Sequence, residues 1–328
     1  MHSATICNTP ACEPLESRLL LTAAPRIAAI AGDNRAMVVL SVDRPLDPQT
    51  VNTRSIKVYR ASGAASPLKA TVSYNAAKRQ ITVRAKLGAP DQPYRIRLNS
   101  SIIRGTDGQA LDGEFRSGDK SGDGVAGGDY LATLRPAATS VARFTTDLGL
   151  IDVRLFATET PLTVQNFLRY ANDGEYDGTF LHRNTGATLV GGGYRVSADN
   201  RIQSIFQRAA VPNEPRPGAP GNVRGTLALE KLGSLPNSGT NQWFFNLRDN
   251  RDPLDSDKGG YTVFGQIINA NGLKVLDRLA ARGVVNIGSV FSSLPVKDAD
   301  AVLKRGSLDP QKDLLFISRV AVLMTPGK

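Results

Sequence analysis

The chain has 328 residues, 41% of them apolar and 21% charged, with a formal net charge of +10. That length exceeds one small domain and fits two. No run of 18 apolar residues occurs, since Leu19-Leu20-Leu21-Thr22-Ala23-Ala24 is cut off by Pro25 and Arg26, so no transmembrane segment is expected. The only cysteines, Cys7 and Cys12, have His2 as their one histidine neighbour. A structural zinc site needs four ligands, so no metal is expected there. Positive charge is densest between Arg26 and Arg116, with 15 Lys+Arg against 7 Asp+Glu. Those residues stand mostly singly, as at Lys57, Arg60, Lys69 and Arg84, without the interleaved aromatics of a nucleic-acid groove. No nucleic acid is expected as a partner; the charge reads as a solvated basic surface or as loose attraction to acidic polymers.

Residues 1–24 read as a leader or sorting tag without fixed structure. They lack the basic start and the long apolar stretch of a secretory signal. The string Glu13-Pro14-Leu15-Glu16-Ser17-Arg18-Leu19-Leu20-Leu21 resembles a short N-terminal tag, L-E-x-R-x-L-L, found on large exported bacterial surface proteins. That resemblance implies an exported chain, periplasmic or at the cell surface.

Residues 25–116 read as strands. Ala36–Val42 is a mostly apolar run, while Ser55–Tyr59, Gln80–Ala85 and Tyr94–Leu98 alternate apolar and polar residues. Period-two alternation with β-branched residues predicts an antiparallel sandwich. The segment resembles bacterial Ig-like modules, ending in a shortened form of their closing motif, Thr106-Asp107-Gly108-Gln109-Ala110-Leu111-Asp112-Gly113. Residues 117–133 read as a Gly/Asp-rich linker. Within it Asp119, Ser121, Asp123 and Gly124 imitate the start of a calcium loop, but position twelve is Tyr130 and the nearest carboxylate, Asp129, comes one residue early.

The pattern changes in residues 134–328. Val141–Thr146 and Leu150–Phe156 flank Asp147-Leu148-Gly149 as a hairpin-like pair. A helix follows, with Thr160 as its cap, Pro161 in its first turn, and Val164, Phe167, Leu168 and Ala171 on one face. Gly174 ends it. Leu314–Val322 reads as the last strand.

Specific blocks then accumulate in order. They are Pro161-Leu162-Thr163-Val164-Gln165-Asn166-Phe167, Gly174-Glu175-Tyr176 running on to Phe180-Leu181-His182-Arg183, Gly191-Gly192-Gly193, Pro212-Asn213-Glu214, Arg224–Ala228, Asn237–Phe245 and Gly260–Gly265. Over about 190 residues this set resembles the cyclophilin-type peptidyl-prolyl cis-trans isomerases. The resemblance implies a closed eight-stranded β-barrel with two helices, which together with the N-terminal Ig-like β-sandwich makes the expected chain mostly β. It implies isomerisation of X-Pro bonds in proline-containing polypeptides, without a cofactor, by a chain expected to be a monomer. By the same resemblance Arg183 is the catalytic donor, His182 packs beside it, Gln242 holds the substrate backbone, and Phe244, Leu254 and Tyr261 form the apolar slot for the proline ring.

Each residue also has a plainer reading as a surface arginine or a core aromatic. The three glycines are not followed by the Lys-Ser/Thr of a phosphate loop. His182 is the one histidine outside the tail, which leaves a Ser-His-Asp hydrolase without another base. Three departures from the family pattern favour an alternative, a non-catalytic module that grips proline-containing segments. Ala187 stands for the pocket phenylalanine, Val190 for a substrate-contacting glutamine, and Glu230 for a small residue. Residues 283–313 match no block.

Overall fold

The computed structural model describes residues 23–62, 66–115, 120–214, 221–256 and 259–327. The tag expected within residues 1–24 and Asp119 of the calcium-like string therefore lie outside, or almost wholly outside, the described residues. The chain is mostly β, as expected.

Seven strands precede the changed pattern: β1 (Ile27–Asp33), β2 (Met37–Val42), β3 (Ile56–Arg60), β4 (Ala70–Asn75), β5 (Gln80–Ala85), β6 (Tyr94–Leu98) and β7 (Tyr130–Pro136). The mostly apolar run read from sequence is β2, and the three alternating runs are β3, β5 and β6. Strand β7 was not anticipated: residues 130–133, read as linker, pair antiparallel with β6 from Tyr94↔Leu134 to Leu98↔Tyr130. Tyr130, Ala132 and Leu134 are buried there, because every second residue faces the core. Asp129 pairs with Arg97 at 2.6 Å and accepts from the Ser100 amide, which is where its carboxylate is spent.

The second module comprises β8 (Val141–Thr146), β9 (Gly149–Leu155), α1 (Pro161–Asn172), β10 (Thr179–Phe180), β11 (Arg183–Asn184), β12 (Thr188–Gly191), β13 (Tyr194–Val196), β14 (Ile202–Ser204), β15 (Thr226–Leu229), β16 (Trp243–Asn246), α2 (Arg251–Leu254), β17 (Val263–Ile267) and α3 (Ala270–Ala280), followed by β18 (Val284–Val285), β19 (Leu294–Pro295), α4 (Ala299–Arg305), α5 (Pro310–Asp313) and β20 (Phe316–Gly327). Two helices were expected, and α1 and α3 are the long ones. The described residues add the seven-residue α4 and two single turns. Antiparallel pairings run β20–β8–β9–β17–β15–β16–β12–β11, and β10 returns to β20. Phe144, Phe167, Tyr176, Trp243, Phe245 and Phe264 fill the core.

Helix α1 buries Val164, Phe167, Tyr170 and Ala171, the period expected of it. Its cap differs from expectation. The Thr160 hydroxyl donates backward to the Phe156 carbonyl, and the free amides of Leu162 and Thr163 donate instead to Glu214 at 3.2 and 2.8 Å. A carboxylate at a helix start satisfies orphan donors and meets the positive end of the helix dipole. Pro212-Asn213-Glu214 thus serves α1 from some fifty residues downstream.

The two modules share β20. Ile317 to Val322 pair with β8, Leu323 and Met324 with β1, and Met324 to Gly327 with β7. Ile317 and Val320 enter the second core while Met324 enters the first. Beside this strand Arg319 donates from Nε and Nη2 to both oxygens of Asp33 at 2.8 and 3.0 Å. Arg35 makes a second two-pronged pair with Asp177 at 2.8 and 2.9 Å. Asp33 Oδ1 also accepts from the amides of Arg35 and Met37. Gly174, which terminates α1 at φ +75°, abuts this cluster; a Cβ there would lie 2.8 Å from Arg35 Nη1.

Removing one member of a buried ion pair strands the other, at about 3–5 kcal/mol. Asp33→Ala is therefore expected to destabilise both modules together. In urea, the fluorescence of Trp243, the sole tryptophan, should shift to a lower midpoint although the substitution lies in the other module. An unchanged tryptophan transition would show that the two modules unfold independently.

Candidate functional site

Strand alternation divides the site into two faces. Across β12, β16 and β15, Leu189, Phe245 and Leu227 align and point into the main core. Their neighbours Val190, Phe244 and Ala228 align on the other face, where Phe156 and Val263 complete a second cluster flanked by Leu254 and Tyr261. The expected slot residues Phe244, Leu254 and Tyr261 are thus brought together. The Phe244 and Tyr261 rings meet edge to face at 5.5 Å. Phe244 is only 1% exposed. Val190 is one wall of this cluster, and Ala187 is not part of it. Ala187 lies in the turn joining β11 to β12, its carbonyl accepting from the Leu247 amide and from Asn250 Nδ2.

The polar residues line an adjacent cleft of about 420 Å³. His182, Arg183 and Gln242 converge there, as expected. The segment that carries His182 and Arg183 is pinned on both sides, with Leu181 N donating to Leu315 O and His182 N to Val190 O. Gly191, Gly192 and Gly193 admit Trp243 and Gln242. A Cβ on Gly191 would fall 2.5 Å from the indole, and one on Gly193 3.0 Å from the Gln242 side chain. The glycines are there for close packing.

His182 Nε2 lies 3.2 Å from Gln242 Oε1. The amide oxygen only accepts, so Nε2 carries the proton. The imidazole meets Tyr194 edge to face at 4.9 Å. Burial, reinforced by the neighbouring Arg183 charge, outweighs the Gln242 hydrogen bond and lowers the His182 pKa to about 4. At neutral pH His182 is an uncharged positioning group.

Three further residues shape the cleft. Arg183 Nη2 donates to Glu230 Oε1 at 2.8 Å. Lys231 is 6% exposed and places Nζ 4.6 Å from the centroid of Tyr261. Val290 lines the cleft from the segment between β18 and β19. The Glu230-Lys231 pair was visible in sequence as two charges closing the apolar run Thr226–Leu229, but its partners were not. Val290 left no signal.

The family model for cyclophilin type peptidyl-prolyl cis-trans isomerase/CLD matches residues 141–301. A peptidyl-prolyl cis-trans isomerase of Acinetobacter baylyi is 32% identical over 156 residues, covering 47% of this chain and 78% of that protein. The chain belongs to the cyclophilin-type peptidyl-prolyl cis-trans isomerases. Peptidyl-prolyl cis-trans isomerase B of Escherichia coli is 34% identical over 142 residues, 42% of this chain and 81% of the relative. A crystal structure of a Cryptosporidium parvum cyclophilin type isomerase, obtained in the presence of the dipeptide Ala-Pro, matches with a TM-score of 0.41 and 21% identity, covering 56% of this chain and 98% of that one. Within this cyclophilin the motif residues His182, Arg183 and Gln242 meet at the cleft and Phe244 enters the apolar cluster, while Trp243 and Phe245 face the main core.

A buried neutral histidine makes stability depend on pH. The unfolded imidazole titrates near 6.5, the folded one at about 4. Between these values the unfolded chain binds a proton that the native state refuses, so this contribution is complete above pH 6.5 and lost as pH falls toward 4. The loss is about 3 kcal/mol. Urea unfolding of the wild type and of His182→Gln should show their stability difference shrinking by roughly that amount between pH 7 and pH 4. A difference constant with pH would contradict the assignment.

Proposed function

We propose that this cyclophilin catalyses cis–trans isomerisation of X-Pro bonds in protein substrates, with Arg183 as the catalytic residue. The observation that carries this reading is the convergence of Arg183, His182 and Gln242 on one cleft beside the apolar cluster of Phe244, Leu254 and Tyr261. A prolyl bond resists rotation by about 18–20 kcal/mol because the nitrogen lone pair is delocalised into the carbonyl. A fixed donor that meets the nitrogen as it pyramidalises favours the twisted state. Arg183 supplies such a donor without a proton transfer, since its guanidinium stays charged. Gln242, held by His182, receives the substrate backbone, and the Phe244 cluster receives the proline ring. No cofactor takes part in this chemistry.

The circuit of pairings from β20 through β8, β9, β17, β15, β16 and β12 to the β10–β11 segment and back supports a closed eight-stranded barrel. The β1–β7 module supports the reading of an Ig-like sandwich serving as a spacer. With the tag-like string at residues 13–21, these features favour a monomeric folding helper of exported proteins, in the periplasm or at the cell surface. A second reading, a module that grips proline segments without turning them over, is favoured by the Arg183–Glu230 pair and the closure of the slot over Phe244.

Exchange spectroscopy on a proline-containing peptide with the full chain separates the two. Catalysis is expected, with Arg183→Ala lowering kcat/KM about 100-fold or more. Arg183→Lys should be nearly as damaging, because a point charge does not reproduce the guanidinium fork. Peptide binding without faster exchange would establish the gripping module instead.

A further inference from the structure

Glu230 and Lys231 are consecutive, yet they engage the two halves of the site. Glu230 accepts from the donor face of Arg183 at 2.8 Å. Lys231 places its ammonium over Tyr261, on the margin of the apolar cluster that buries Phe244. We propose that Glu230 and Lys231 act as a built-in stopper, occupying in the resting protein the places that the prolyl nitrogen and the proline ring take during turnover. The inference rests on the isomerase reading of this cleft.

The stopper is a side-chain device. The backbone at this point is anchored, with Glu230 N donating to Gln242 O at 2.9 Å. Beyond it the turn is held within itself, Leu232 N donating to Ser238 Oγ at 2.7 Å and Ser238 Oγ to Leu235 O at 2.6 Å. A Cβ at Gly239 would lie 2.3 Å from Leu229 Cδ2, so this end of the turn is packed tightly against β15. Opening therefore needs new rotamers at two side chains, a fast event that leaves no lag in turnover. Glu230 is 19% exposed at its side chain and Arg183 38%, so the pair is screened by salt yet stronger than a fully exposed one. A neutral prolyl nitrogen is a weaker acceptor for a guanidinium than a carboxylate. Glu230 is thus a competitor for Arg183 at every encounter.

The test uses the full chain and an uncharged proline peptide. Glu230→Gln is expected to raise kcat/KM about fivefold, and Lys231→Ala to lower KM about threefold by uncovering the slot. For the wild type, kcat/KM should rise between 0.05 and 0.5 M salt as the ion pair is screened, while Glu230→Gln stays flat. A merely structural role for Glu230 would not produce that difference in salt response. Peptide affinity, measured by calorimetry, should tighten in both variants whether or not exchange is accelerated. If wild type and variants catalyse alike and respond alike to salt, the stopper is refuted and the isomerase reading stands. If neither wild type nor variants accelerate exchange but both variants bind the peptide more tightly, the isomerase reading fails and the stopper survives as a gate on binding.

Discussion

The strand β20 and the Arg319–Asp33 pair beside it are the constraint on which the rest of the molecule hangs. The strand's twelve residues begin as a strand of the second module, paired with β8 and β10, and end as a strand of the first, paired with β1 and β7. Register is unforgiving in such a strand, since a slip of one residue would move Ile317, Val320 and Met324 out of two cores at once. The ion pairs hold that register from the side. Arg319 is fixed by Asp33 of β1, and Arg35 reaches from the β1–β2 turn to Asp177 and to the Val320 carbonyl. The N-terminal module is therefore bonded to the second module along a shared strand, and its position relative to the cleft is set.

The same strand positions the chemistry. Strand β10 pairs with β20 at Thr179↔Ile317 and Phe180↔Phe316, and Leu181 N continues the ladder to Leu315 O. The next two residues are His182 and Arg183. A donor that works by electrostatics must be in place before the substrate twists, because reorganisation during the reaction would cancel its benefit. Here the arginine is carried on a segment hydrogen-bonded on both edges. Its tip is also held, by Glu230, and that hold opposes turnover. The site combines a preorganised backbone with a side chain that must be released.

What could be read from sequence was local and periodic. Val164, Phe167 and Ala171 announced the buried face of α1, and the alternation in Gln80–Ala85 and Tyr94–Leu98 announced two strands with the right inward residues. The motif at Phe180 to Arg183 and that at Gln242 to Phe245 located the cleft. Partners distant along the chain left no such mark. Asp33 and Arg319 are 286 residues apart, Glu214 caps a helix 51 residues before it, and Glu230 meets Arg183 across 47. Each is an ordinary charged residue until the fold brings its partner near. Ala187 stands in the β11–β12 turn, and Val190 faces Phe244 across β12 and β16.

The family model reaches into the segment between α3 and β20 only as far as residue 301, and the packing of that segment explains why it matters. Val285, Leu294, Val296, Val302 and Leu314 form a separate core around Phe180. Phe291 meets Tyr194 at 5.0 Å, and Tyr194 meets His182 at 4.9 Å. Asn184, directly after Arg183, is held by the same segment through its amide, which donates to Ser293 O, while its side chain donates to Ala280 O at the end of α3. The strand bearing His182 and Arg183 is thus clamped between the main core, through Leu181, and this extra core, through Phe180 and Tyr194. A histidine gripped in that way is held away from solvent, which keeps its ring neutral and its Nε2–H donated to Gln242 Oε1. The orientation of the backbone clamp is in this sense inherited from a segment that carries none of the family's motifs.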